Sequence, residues 1–435
     1  EFRRVLFRSR EMAHIIYPPV AMIGILIFFY LWVRLLVGKR IAIIASLFLA
    51  VIPGFVFRTA AGFADHEAIS IMFMFLSLWL FTKADLMKIS QNKYLTMFGS
   101  GLAAFGMGVT WVGYPMLIIV VSSYLLSKML LSKERDGYPK YVWFLTFSAL
   151  MTLVGKLHWK SYGWLIGFFA FGVLLVYDLL KERKFFVPNS ILSLLVVGLG
   201  GLILNSLFGF FDIGTFILNI LNAGGGDKLA GTTSEIARTY VTSGNSYLDN
   251  YGYLTFISLF GVFFLSWELF SDVGKKIRII LSSIAVGSIF VITMSNWSSD
   301  FQILGSNYIY LMLSVLFGLV AYYLYLYYTR REEYNVLSNL NNINLIMPII
   351  FFLVMGLLAR TAVRFIFVFA PAVALLAAIA FEDFLKHAKR YKFAQLGVVL
   401  IIGLLAFGAF GQAARVSDSI QSGLPGMWEE SMDWI

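Results

Sequence analysis

The chain has 435 residues, 60% of them apolar and only 13% charged, with a mean hydropathy of +0.81. That composition excludes a soluble globule and describes a polytopic membrane protein. The net charge of +10 needs no nucleic-acid partner, because basic residues at membrane ends anchor to anionic headgroups; with no cysteine, disulfide frameworks and thiolate metal sites are excluded too.

Taken in chain order, the hydrophobic runs predict about fourteen transmembrane helices. They fall near 14–37, 41–57, 68–84, 94–107, 113–127, 141–154, 161–178, 188–211, 252–270, 279–295, 307–328, 343–360, 364–382 and 394–412. Backbone in lipid must satisfy its own amides, so these Leu- and Phe-rich runs are helices and the fold class is all-α. The alternating strands that a β-barrel needs are missing. Every second connection is basic, as at Lys39 and Arg40, at Lys83, Lys88 and Lys93, or at Lys386, Lys389, Arg390 and Lys392. Those connections carry twenty-one basic residues against eight in the opposite ones after residue 13. The basic side is therefore expected to be cytoplasmic, in a cell membrane crossed many times.

Residues 1–12 place four arginines on the outer side, against that rule, and read as a non-native or disordered leader. Residues 13–412 read as the transmembrane domain, with an external loop at 213–250. Residues 413–435 turn polar, like the start of an external C-terminal domain.

Between the second and third runs lies Gly62-Phe63-Ala64-Asp65-His66-Glu67, two carboxylates one residue apart. A carboxylate in the membrane core costs roughly 2.5–3.5 kcal/mol, so an acidic pair beside a span is expected at a water-facing edge, with a cation or a proton as its reason. The long loop holds Gly224-Gly225-Gly226, a swivel, followed by Thr232-Thr233-Ser234-Glu235. Asp65, Glu67 and Glu235 on one membrane face suit a hard divalent cation, Mg²⁺ or Mn²⁺, better than zinc. Arg360 and Arg364 stand one helical turn apart at an outer helix entrance, and Arg364, followed by Phe365-Ile366-Phe367, suits a phosphate held in a partly desolvated place. Each residue also has an ordinary use. Asp65 could be a helix N-cap with Glu67 in the first turn, Glu235 a solvated loop residue, His66 a local hydrogen-bonding group, and the two arginines could snorkel.

Asp65-x-Glu67 at a helix entrance, Thr232-Thr233-Ser234-Glu235 in a long outer loop and Arg360-Thr361-Ala362-Val363-Arg364-Phe365 opening a late span resemble the catalytic subunit of oligosaccharyltransferase in its archaeal AglB form. The likeness runs through nearly the whole chain from Ala13. It implies the membrane domain of a type C glycosyltransferase, in which Asp65, Glu67 and Glu235 are catalytic and hold Mn²⁺ or Mg²⁺. Thr232, Thr233 and Ser234 then form the loop motif, and Arg364 meets the lipid-linked phosphate. It also implies a dolichyl-phosphate-type lipid-linked oligosaccharide as donor and proteins with N-x-S/T sites as acceptors. A single-subunit enzyme working on the extracytoplasmic face would follow. The family's first acidic motif would precede Ala13 and its W-W-D-Y-G motif would follow Ile435; neither is in the sequence. Two alternatives stand beside this. Another type C enzyme that uses lipid-phosphate sugars would share the helices and the acidic pair without needing the T-x-x-E loop. A transporter would carry ionisable groups near mid-membrane on broken helices.

Overall fold

In the computed structural model, residues 2–61, 63, 65–132, 138–157, 162–180, 183, 185–208, 246–294, 308–361, 363–389 and 392–419 are described. These form seventeen α-helices and, among the described residues, no strand. In order they are α1 (Phe2–Val37), α2 (Lys39–Val51), α3 (Pro53–Thr59), α4 (Glu67–Asp85), α5 (Gln91–Thr110), α6 (Pro115–Leu131), α7 (Pro139–Leu153), α8 (Tyr162–Leu180) and α9 (Asn189–Phe208). Then come α10 (Tyr247–Tyr251), α11 (Leu254–Leu269), α12 (Lys275–Met294), α13 (Tyr308–Thr329), α14 (Arg331–Leu337), α15 (Ile346–Thr361), α16 (Ile366–Ala388) and α17 (Lys392–Ser419).

Each of the fourteen predicted segments overlaps a helix among the described residues. Seven helices among the described residues are long and apolar enough to cross a membrane, so a count of fourteen crossings goes beyond what length and composition establish. The segment predicted at 41–57 is not one straight helix: α2 and α3 meet at 69°. The cause is Pro53. A residue before proline is pushed out of the helical region, and Ile52 is extended (φ −71°, ψ 120°) while Pro53 restarts the chain as the first residue of α3. Proline is also the first residue of α6 and α7, although there the preceding Tyr114 and Tyr138 keep helical backbone angles. Ser90 caps α5 by accepting from the Lys93 amide, and Ser246 with Asp249 forms a capping box at α10.

Helix α16 is the axle of the bundle, every residue from Ile366 to Ala380 being buried. Helix α17, by contrast, leaves most of its surface outward. Lipid tails are as apolar as leucine, so helices in a bilayer associate through close packing and hydrogen bonds rather than through exclusion of water. The approach of α11 to α16 shows this: a Cβ on Gly261 would collide with the Leu376 backbone carbonyl. Polar contacts gather at two ends. At one, Arg40 pairs with Glu382 at 3.2 Å, Lys128 with Asp85 at 3.0 Å and Lys140 with Asp178 at 2.9 Å. At the other lie the acidic pair, the Lys156 bond to the Val109 carbonyl and the Trp164 bond to Tyr114. Each contact joins connections that the charge pattern assigns to the same side.

Candidate active site

The bend at Ile52 turns α3 across the end of the bundle, and its arginine, Arg58, is only 8% exposed. Gly54 permits the seat: a Cβ there would stand 3.0 Å from both Asn250 Oδ1 on α10 and Ile366 Cγ2 on α16. Arg58 Nη1 donates to Asp65 Oδ2 at 3.1 Å and lies 3.5 Å from Glu67 Oε2. Its guanidinium sits 4.9 Å from the centre of the Phe63 ring, a cation–π contact that holds it over the link between α3 and α4. From the opposite side, Arg364 Nη2 donates to Glu67 Oε1 at 3.3 Å. Two carboxylates and two guanidiniums thus form one neutral cluster, built from α3, the start of α4 and the 3-10 turn Val363–Phe365 that leads into α16.

Asp65 is not the N-cap of α4. That position belongs to His66, which makes no side-chain cap bond. The Asp65 carboxylate is engaged by Arg58 and by His66, whose Nδ1 lies 2.7 Å from Oδ1. The helix end is closed by a residue from α1: the Tyr17 hydroxyl donates to the Asp65 carbonyl at 2.8 Å and accepts from the Ile69 amide at 3.2 Å. Tyr17 therefore satisfies one of the orphan amides of the first turn. Glu67 is the first residue of α4, where the helix dipole favours an anion.

Glu67 is 2% exposed, and its Oε2 accepts no hydrogen bond; Arg364 Nε also finds none. Buried polar atoms left unbonded are costly, so these two mark a place suited to a further polar ligand. Carboxylate oxygens are the donors a hard cation prefers, and Asp65 and Glu67 fit one chemically. Among the described residues no three His, Asp or Glu side chains converge on a metal position. Thr232, Thr233, Ser234 and Glu235 lie outside the described residues. Arg360 is buried and donates to the Val291 carbonyl at 3.5 Å.

The end of the long outer connection does enter the site's surroundings. Tyr247 and Tyr251 on α10 are buried, and burial pushes both hydroxyls up, so they stay protonated. Tyr251 donates to the carbonyl of Ile366, two residues beyond Arg364.

Sequence reasoning brings together Asp65, Glu67 and Arg364, and the structure places these three in one cluster. It misses Arg58 and Tyr17. Arg58 leaves a trace, being the only basic residue between Arg40 and Lys83, placed seven before Asp65. Tyr17 leaves none, since it reaches the site across 48 residues of sequence.

The sequence profile of the family described as "Oligosaccharyl transferase STT3, N-terminal" matches residues 4–238. One relative, the dolichyl-diphosphooligosaccharide–protein glycosyltransferase subunit STT3B of Arabidopsis thaliana, is 30% identical over 100 residues, 23% of this chain and 13% of that protein. Another, dolichyl-phosphooligosaccharide-protein glycotransferase 2 of Archaeoglobus fulgidus, is 26% identical over 120 residues, 27% of this chain and 19% of that protein. Among solved structures, the archaeal oligosaccharyltransferase AglB of Archaeoglobus fulgidus, in complex with an inhibitory peptide and a dolichol-phosphate, superposes with a TM-score of 0.64 at 13% identity. That match covers 98% of this chain and 47% of AglB, so the chain spans about half the length of the relative it resembles in fold.

Proposed function

From its membership of the oligosaccharyl transferase STT3 family, we propose that this chain is the membrane catalytic part, residues 13–412, of an archaeal-type enzyme of protein N-glycosylation. The enzyme transfers an oligosaccharide from a dolichyl-phosphate-type carrier to the asparagine of N-x-S/T sites. The observation that carries the reading is the cluster itself: a buried acid, Glu67, whose Oε2 accepts no hydrogen bond, two positions after Asp65 and in contact with Arg364. A transporter accounts for it less well, for its ionisable groups belong near mid-membrane and these stand at a helix entrance; another type C enzyme would share the acidic pair and is set apart only by not needing the Thr232-Thr233-Ser234-Glu235 motif. The site is placed on the extracytoplasmic side of the plasma membrane, opposite the basic connections.

An asparagine amide is a poor nucleophile because its nitrogen lone pair is delocalised into the carbonyl. Asp65 and Glu67 would accept its N–H groups and orient it toward the donor. Arg58 keeps the two acids at a fixed separation while they do so. The amide nitrogen attacks the anomeric carbon as the bond from that carbon to the phosphate oxygen breaks, and its surplus proton passes to the carboxylate that accepts the N–H. Arg364 binds the departing phosphate, and attack from the face opposite the phosphate inverts that carbon. Asp65 and Glu67, with Glu235 as third ligand, would hold Mg²⁺ or Mn²⁺, which supplies Lewis-acid neutralisation of charge on the leaving phosphate. The loop bearing Thr232, Thr233, Ser234 and Glu235 covers donor and acceptor and excludes water that would hydrolyse the donor. The enzyme is proposed to act as a single subunit.

The test uses the complete gene product with lipid-linked oligosaccharide and a fluorescent N-x-T peptide. Transfer should appear as a glycan-sized mass increase on the peptide and vanish in EDTA. Full transfer in chelator would refute the metal, and no transfer under any metal would refute the function.

A further inference from the structure

A second polar site lies at the opposite, basic-loop end of the bundle. There a cavity of about 630 Å³ opens between the ends of α6, α8 and α13 and the starts of α7, α9 and α14. Its size falls within the roughly 300–1,000 Å³ of small-molecule sites and far exceeds that of a lone inorganic anion. Four cationic side chains line it: Lys128, Lys140, Arg183 and Arg331.

They divide into two kinds. Lys128 and Lys140 are buried and each is matched by an aspartate, Asp85 and Asp178. Arg183 and Arg331 are exposed, and neither pairs with a carboxylate among the described residues. The Arg331 guanidinium stacks 3.9 Å from the Tyr327 ring centre and donates to the Tyr327 carbonyl at 3.2 Å, so its plane is held. The cavity thus carries surplus positive charge in the form that binds phosphate by paired hydrogen bonds. Tyr177, Tyr323 and Tyr334 add an aromatic wall with hydroxyls.

The rim indicates the source of the phosphate. Phe186 is 82% exposed and packs tilted against Tyr328, with ring centres 5.1 Å apart, and the Tyr328 hydroxyl donates to the Phe186 carbonyl at 3.2 Å. Exposed aromatics of this kind sit at the level of lipid headgroups. Basic pockets between helix ends on the cytoplasmic side are physically suited to anionic lipids.

We infer that this cavity binds the phosphate-bearing headgroup of an anionic phospholipid, with Arg183 and Arg331 on the phosphate and the acyl chains leaving past Phe186. The site is separate from the acidic cluster and does not depend on the enzymatic reading.

The experiment measures the melting temperature of the detergent-purified chain against short-chain dihexanoyl phosphatidylglycerol, dihexanoyl phosphatidylcholine and glycerol 3-phosphate. Phosphatidylglycerol should raise it saturably and phosphatidylcholine should not. In the double variant Arg183→Gln/Arg331→Gln the apparent affinity should fall about tenfold or more, while Arg183→Lys/Arg331→Lys retains part of it. Both arginines are exposed, so the unliganded melting temperature of the variants should match the parent. Saturation by glycerol 3-phosphate at similar concentrations, with the same sensitivity to the glutamine pair, would keep the phosphate site but assign it to a soluble ester. Equal responses to the two lipids, or an unchanged response in the glutamine variant, would overturn the proposal.

Discussion

Two buried ionic clusters occupy the two ends of this bundle, and they are built to opposite rules. At the basic-loop end, Lys128 Nζ donates to both Asp85 carboxylate oxygens at 3.1 and 3.0 Å, and Tyr124 donates to Oδ2 at 2.6 Å. Lys93 bonds the Asp85 carbonyl at 3.3 Å, and the Lys128 and Asp85 side chains are only 3% and 4% exposed. Every acceptor is used and the pair is sealed. At the acidic-pair end, Asp65 and Arg364 side chains remain 27% and 31% exposed, and Glu67 Oε2 and Arg364 Nε are unbonded. A buried ion pair that is fully satisfied holds helices together; one left incomplete and open on one side is available to a ligand.

That contrast can be broken most sharply at Lys128. Removing it leaves the Asp85 charge buried with Tyr124 alone, so Lys128→Ala should cost about 3–5 kcal/mol of stability, read as a lower melting temperature. The apolar pair Asp85→Leu/Lys128→Met should recover most of that loss, as expected for a sealed pair of structural purpose. Asp65→Ala should behave in reverse. Glycan transfer by the complete enzyme should fall roughly 10²–10³-fold, with little change in melting temperature, since the side chain is partly open to water. A large thermal shift here and a small one at Lys128 would invert the assignment of the two clusters. Arg364→Ala should weaken binding of the lipid-linked phosphate by about 1.5–3 kcal/mol, measurable as a rise in donor Kd, and unchanged affinity would leave that arginine a structural partner of Glu67. The smallest effect is expected at Tyr17→Phe, which deletes the bridge between the Asp65 carbonyl and the Ile69 amide. About 0.5–1.5 kcal/mol of stability should be lost, with faster hydrogen exchange confined to the first turn of α4.

Long apolar runs made the helices legible, because lipid leaves a buried backbone no alternative pairing. The charge alternation made the grouping of helix ends legible, and the structure joins Arg40 to Glu382 and Lys140 to Asp178 as that grouping requires. Asp65, Glu67 and Arg364 were legible because charges at the edge of an apolar run are conspicuous. The bend was half legible: Pro53 predicts a break, but the 69° that turns Arg58 toward the acids is set by how α3 packs against α10 and α16 through Gly54. Tyr17 was not legible at all, because its role is a single tertiary hydrogen-bond bridge with no local pattern.

The seating of α10 also sets a length scale. Tyr251 is fastened to the Ile366 carbonyl beside Arg364, and Gly54 brings Asn250 against the helix that bears Arg58. The chain leading back to Glu235 is thus tethered beside the acidic cluster itself. Ten residues lie between Glu235 and Ser246. Eleven peptide links reach at most about 40 Å when fully extended. Covalent linkage alone keeps the Glu235 carboxylate within that reach of α10. Any approach of Glu235 to Asp65 and Glu67, as proposed above, is therefore an intramolecular event rather than an association.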